Sequence, residues 1–205
     1  MKLYYSNTSP YARKVRLVIE EKGLQAGIES EATNAFSPDA ALLTANPIGR
    51  VPTLILDDGQ GLFGSQVICA YLDALGSESQ LIPSSGWARW AVLRREALAD
   101  GLMDAAYNIV MERKRSDGQH SLHWIVHWGD EIQRALLAME QGMQELHGDI
   151  TLAHLATASA LGYLKLRIPD ILYEDGEANP EFPRLLAWFE AFCERPSMRA
   201  TDPGE

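Results

Sequence analysis

With 205 residues, 46% of them hydrophobic and 22% charged, the chain can bury a full core in one or two domains. Its formal net charge of −10 offers no basic face for phosphates, which argues against nucleic acid and against an anionic membrane as partners. No apolar run approaches the roughly 20 residues that span a bilayer, and the N-terminus enters a strand with no signal-type apolar region.

Residues 2–5 read as a short strand. Residues 10–23 follow as a helix, with Val15, Val18 and Ile19 on one face and Gly23 as its C-cap. Residues 27–33 form a weak strand. Ser37-Pro38-Asp39 opens a short helix to about Thr44, with proline at its first position. Residues 53–56 and 61–63 flank Asp57-Asp58-Gly59, a hairpin signal, and a helix follows from Ser65 to about Leu75. The order is βαβ followed by ββα. Residues 76–86 are rich in Gly, Ser and Pro and read as a linker. Beyond it the periodicity is helical throughout: 87–115, 121–147, 151–167 and 183–194, with breaks at 116–118 and 148–150 and a loop over 168–180. The expected division is an α/β domain over 1–78 and an all-α domain over 84–205. Cys69 and Cys193, the two cysteines, lie in apolar helical patterns as reduced core thiols, so a cytoplasmic protein is expected.

Three local motifs carry chemistry. Ser9 precedes Pro10 and a helix, which makes it an N-cap. The same geometry favours a nearby anion, and a thiol held there falls below its free pKa of ~8.5. In Asn46-Pro47-Ile48-Gly49-Arg50-Val51-Pro52-Thr53-Leu54, Pro52 stands at a strand entrance. A cis bond there turns the Val51 N–H and carbonyl outward, free to pair with an extended peptide; a trans proline that starts the strand suffices for this stretch alone. Ser65, after Leu62-Phe63-Gly64, opens a helix as a cap or as an anion contact.

The order strand–Ser9-Pro10–helix, Val51-Pro52–strand, strand–Ser65–helix resembles the glutathione-binding domain of the glutathione transferase superfamily, a thioredoxin-like fold. The helical remainder resembles that family's second domain, so the resemblance covers nearly the whole chain. It implies a serine-type member in which Ser9 contacts the glutathione sulfur and stabilises its thiolate. Tyr5, at the end of the first strand, is the alternative, and Asn7 and Thr8 share its loop. Val51, beside Pro52, would bind the cysteinyl unit through its backbone. Arg50 would meet the glycine carboxylate or stay solvated, and Ser65 would bind the γ-glutamyl carboxylate. On the long helix, Asp104, Tyr107 and Met111 would line a second-substrate pocket, or else a dimer or solvent face. Asp100, one turn before Asp104, could reach ligand, although solvation accounts for both. Arg13, Lys14 and Arg16 form a local basic patch, either a solvated face or a guide for an anionic tripeptide.

Two positions depart from the family. Gly64 stands where many members hold the ligand's ammonium with an acidic or amide side chain. His154 replaces the carboxylate of a Ser/Thr-x-x-Asp capping box at Thr151, and some loss of stability is expected from it. His120, His123 and His127 have partial zinc spacing, but no Cys or carboxylate supports them and Trp124 and Trp128 intervene, so no metal is expected.

The resemblance therefore implies a homodimeric glutathione transferase of detoxification type. Glutathione would be its co-substrate, with no resident cofactor, and a small electrophile its second substrate. Gly64 favours an alternative, a non-catalytic glutathione-binding or regulatory protein on the same fold. A third class, an interaction module unrelated to glutathione, would leave melting unchanged by any small thiol.

Overall fold

The computed structural model describes residues 1–76 and 80–204. They form two compact units, Met1–Ser85 with Arg195–Glu205, and Gly86–Glu194. The expected α/β portion followed by a helical portion is observed.

The first unit is built on a four-stranded sheet of order β2-β1-β3-β4. The strands are β1 Lys2–Tyr5, β2 Glu29–Ala32, β3 Thr53–Ile55 and β4 Gly61–Phe63; the helices between them are α1 Pro10–Glu21, α2 Ala40–Ala45 and α3 Ser65–Asp73. β1 runs parallel to β2 and antiparallel to β3, and β3 pairs with β4 as a hairpin. Leu3, Val15, Val18, Leu54, Ile68 and Leu72 are fully buried, so the apolar stripes of α1 and α3 close on the same core as the strands.

Buried charge also ties this unit together. The Lys22 ammonium donates to the Asp73 carbonyl at 2.9 Å and to its carboxylate at 3.3 Å. That carboxylate in turn accepts the N–H groups of Leu81 and Ile82 at 2.7 and 2.9 Å. The expected linker over 76–86 is therefore anchored in its later part; residues 77–79 of it, and the boundary expected at 78, lie outside the described residues.

The segment 195–204 belongs to this first unit rather than to the helical domain expected over 84–205. It carries a short helix, α8 Pro196–Ala200, which the sequence pattern did not reveal. The Glu21 carboxylate accepts from Arg195 at 3.0 and 2.7 Å and from the Ser197 hydroxyl. Arg13 donates to the Met198 carbonyl at 3.2 Å and Arg16 to the Ala200 carbonyl at 3.1 Å. The basic patch of α1 is thus no open steering face. Arg13 and Lys14 are buried, and two of its guanidiniums satisfy the carbonyls of α8.

The second unit holds α4 Gly86–Arg113, α5 Leu122–Gln141, α6 Leu152–Arg167 and α7 Pro183–Cys193. The expected 168–180 loop contains a small antiparallel ribbon, β5 Tyr173–Glu174 with β6 Glu177–Ala178, so this unit is not purely helical. The helix expected to reach His147 ends at Gln141 and gives way to a tighter turn over Met143–Leu146. The cause is Arg95, fully buried on α4. Its guanidinium donates to the Met139 and Gly142 carbonyls at 3.3–3.4 Å and to the Thr157 hydroxyl at 3.2 Å. A cation is thereby placed on the carbonyl end of α5. Burial pushes its pKa down, against the pull of the nearby Glu145 carboxylate.

The capping box at Thr151 is closed with His154 in it. The neutral imidazole takes the carboxylate's part: Nδ1 accepts the Thr151 N–H at 3.1 Å. That assignment leaves Nε2–H to donate to the Leu146 carbonyl at 3.2 Å. The ring lies near those of Phe192 and Trp188, so the capping box is closed by a group that is also part of the core.

Candidate functional site

Strand register gathers the three motifs at one end of the sheet. Tyr4 pairs with Thr53, and Thr53 with Phe63. One residue further along lie Tyr5 at the end of β1, Pro52 at the start of β3 and Gly64 at the end of β4, forming a row across three adjacent strands. Ser9 and Ser65 follow from the outer two.

Ser9 is the N-cap of α1, with extended backbone and Pro10 at the first helical position. Its hydroxyl accepts the Ala12 N–H at 3.2 Å. An accepting hydroxyl keeps its own proton, so Ser9 can cap the helix and still donate to an anion. Tyr5 is engaged differently: the Arg16 guanidinium sits over its ring, 4.7 Å from the centroid.

The Val51–Pro52 bond is cis. Among the described residues no hydrogen bond uses the Val51 N–H or carbonyl. Arg50 is exposed and no ion pair engages its guanidinium among the described residues. Its carbonyl is held firmly, accepting from the Asn46 amide at 3.0 Å and from the Thr53 hydroxyl at 2.7 Å.

Ser65 is the first residue of α3 rather than its cap; the cap is Gly64, at φ 84°. A residue with a side chain rarely adopts that backbone, which gives a local reason for the missing acidic or amide group. Ser65 itself is buried, and its hydroxyl has no partner among the described residues.

In the second unit, Asp104 and Tyr107 are exposed on α4 and Met111 is half-buried. Asp100 is buried, so simple solvation does not describe it. Tyr163 of α6 extends the Tyr107 face: burial pushes its phenol up, the Arg167 charge opposes this, and Tyr107 lies close enough to add to the rise. Spacing on α4 alone gave no sign of this neighbour from another helix. His127 pairs with Glu131 at 3.1 Å, and Trp124 lies edge-on between His123 and His127. Among the described residues no three metal-ligand-type side chains come together.

Two polar residues of the site escaped sequence reasoning. Asn46 read as a turn residue and Thr53 as a strand residue, yet both are buried and bonded to each other at 3.0 Å. The one available signal was a polar pair bracketing the Gly-Arg-Val-Pro turn.

Comparison with known proteins places the chain in a family. The family pattern described as "Glutathione S-transferase, N-terminal domain" matches residues 3–80. An uncharacterized GST-like protein of Escherichia coli, YibF, is 33% identical over 210 residues, spanning 99% of this chain and 98% of that one. A crystal structure of a glutathione transferase family member from Pseudomonas fluorescens, with bound glutathione, is 38% identical. It superposes at TM-score 0.92 over 100% of this chain and 99% of that one. A glutathione S-transferase from Methylobacillus flagellatus, with glutathione bound, is 37% identical at TM-score 0.90, over 99% of each chain. The first unit has the thioredoxin-like fold that these structures share, and the chain belongs to the glutathione S-transferase family.

Proposed function

We propose that this protein is a cytoplasmic glutathione transferase of serine type, with its first unit as the glutathione-binding domain and Gly86–Glu194 as its second domain. The observation that carries the reading is the row of available polar groups at one end of the sheet: the Ser9 O–H, the Val51 N–H and carbonyl, and the Ser65 hydroxyl. Each suits one part of an extended anionic tripeptide. The Val51 backbone pairs with the cysteinyl unit as a neighbouring strand would. Ser65 and the first N–H groups of α3 take the γ-glutamyl carboxylate. Arg50 takes the glycine carboxylate. Ser9 donates to the sulfur, and with the N-terminus of α1 it favours the thiolate that attacks the electrophile. The likeness to structures holding glutathione supports the ligand.

The electrophile's contacts are assigned to the α4 face of Asp104, Tyr107 and Met111. A homodimer is inferred from the apolar groove of about 440 Å³ on α4 and α5, lined by Leu98, Gly101, Leu102 and Ala135 among others. Light scattering at micromolar concentration tests that inference; a monomer refutes it.

Calorimetric titration with glutathione tests the reading itself. The wild type binds, Ser65→Ala binds at least tenfold more weakly, and Ser9→Ala binds but raises the pKa of the bound thiol. No binding at millimolar glutathione refutes it. Gly64 favours a second reading, a glutathione-binding protein without transferase activity, because nothing at that position holds the ligand's ammonium. Binding without turnover across haloaromatic, epoxide and enone electrophiles would select it.

A further inference from the structure

The Val51 N–H shares a peptide plane with the Arg50 carbonyl. In a planar trans peptide the two groups point in opposite directions. Whatever fixes the carbonyl therefore aims the N–H. Two buried donors fix it here: the Asn46 side-chain amide at 3.0 Å and the Thr53 hydroxyl at 2.7 Å. The amide also donates to the Thr53 hydroxyl at 3.0 Å, so the three polar groups close a ring. The other face of Asn46 holds the rest of the turn. Its side-chain oxygen accepts the Ile48 N–H at 3.0 Å, and its backbone carbonyl accepts the Gly49 N–H at 2.8 Å. Its own N–H is bonded to the Leu42 carbonyl at the end of α2, which seats the ring on a helix. Asn46 is 2% exposed and Thr53 0%, so water cannot replace either donor.

We infer that Asn46 and Thr53 are positioning residues that aim the Val51 N–H at the cysteinyl carbonyl of glutathione. They touch no ligand. Their effect passes through one peptide plane, whose inward carbonyl is doubly bonded and whose outward N–H is left unpaired. The fixed orientation removes a rotation that binding would otherwise have to freeze. This inference rests on the reading in which the Val51 backbone pairs with glutathione.

The test is a chemical double-mutant cycle by calorimetry. Its ligands are glutathione and an analogue whose cysteinyl carbonyl is reduced to a methylene. Its proteins are the wild type, Thr53→Val and Thr53→Ser. Valine is nearly the same shape as threonine and removes the hydroxyl, while serine keeps it. The wild type should bind the analogue about tenfold more weakly than glutathione, one hydrogen bond's worth. Thr53→Val should bind glutathione about tenfold more weakly and lose most of its discrimination between the ligands, and Thr53→Ser should restore both. Asn46→Asp keeps the acceptor for Ile48 and loses the donor to Arg50. It should behave like Thr53→Val, and it provides a second variant should valine prevent folding.

If the wild type binds both ligands equally, the pairing of Val51 with glutathione is wrong. If the wild type discriminates and the folded variants discriminate equally well, the pairing stands and the positioning role is overturned. A merely structural loss would weaken both ligands by the same factor.

Discussion

The turn over 46–53 and the buried polar clusters of the helical unit use similar side chains to opposite ends. In the turn, Asn46 and Thr53 satisfy each other and the Arg50 carbonyl, but the ring stops one atom pair short and leaves the Val51 backbone unpaired. In the helical unit the clusters close around backbone groups. Arg95 meets the Met139 and Gly142 carbonyls, His154 bridges Thr151 and Leu146, and the Glu140 carboxylate takes the N–H groups of Arg184 and Leu185 at 3.4 and 2.7 Å. On the proposed reading, these buried clusters of the helical unit act on stability, and the turn at the sheet end acts on ligand. The contrast assigns a distinct measurement to each residue.

Arg95 gives the largest expected effect. Arg95→Met leaves two carbonyls and the Thr157 hydroxyl without their donor, and urea denaturation should show a loss of about 3–5 kcal/mol. A stable variant with weakened glutathione binding would break the contrast. Gly64→Ala comes next. Its φ of 84° suits glycine alone, so a loss of about 1–3 kcal/mol is expected in the same assay. An unstrained Gly64→Asp that tightens glutathione binding would show that the ammonium contact was lost by sequence drift rather than by backbone need.

Ser65→Ala sharpens the opposite side of the comparison. With no partner among the described residues, the hydroxyl should leave unfolding unchanged within about 0.5 kcal/mol while glutathione binding weakens. A fall in stability of the same size as the fall in affinity would mean that Ser65 is an ordinary structural serine.

The smallest effect is confined to acid. Burial pushes the Glu140 carboxyl up, but the bonds from the Arg184 side chain and from the N–H groups of Leu185 and Arg184 outweigh it and hold the group below its ordinary value of 4.5. A depressed folded pKa adds stability above the unfolded value, and that stability is lost as pH falls through the folded one. Glu140→Gln should therefore flatten the decline of Tm below pH 4.5 and lower Tm slightly near neutrality. An unchanged acid limb would show that other carboxylates govern it.

What the sequence made legible follows the range of the interactions. Ser9-Pro10, Val51-Pro52 and the start of α3 were readable because caps and turns act across a few residues, and the succession of strands and helices along the chain was readable with them. Arg13 and Arg16 were not, because a helix face with two arginines looks solvated until α8 arrives from more than 180 positions away. His154 was readable as a departure but not in its consequence. Whether an imidazole can stand in for a carboxylate depends on the Leu146 carbonyl and on Phe192 and Trp188, which local spacing does not report. Asn46 was quoted in the motif without a role, since its donors act on a peptide plane rather than on a neighbour in the pattern.

The clasp of Glu21, Arg13 and Arg16 on the segment 195–204 has a consequence for biosynthesis. The first unit is discontinuous in sequence, with the helical unit encoded between its two parts. On the ribosome the sheet and its three helices emerge early, yet Arg195, Ser197 and the carbonyls of α8 come only after all of α4 to α7. Until then Arg13, Arg16 and Glu21 lack the partners that this segment supplies. The nascent sheet must wait for residues made after the whole helical unit to complete its last contacts.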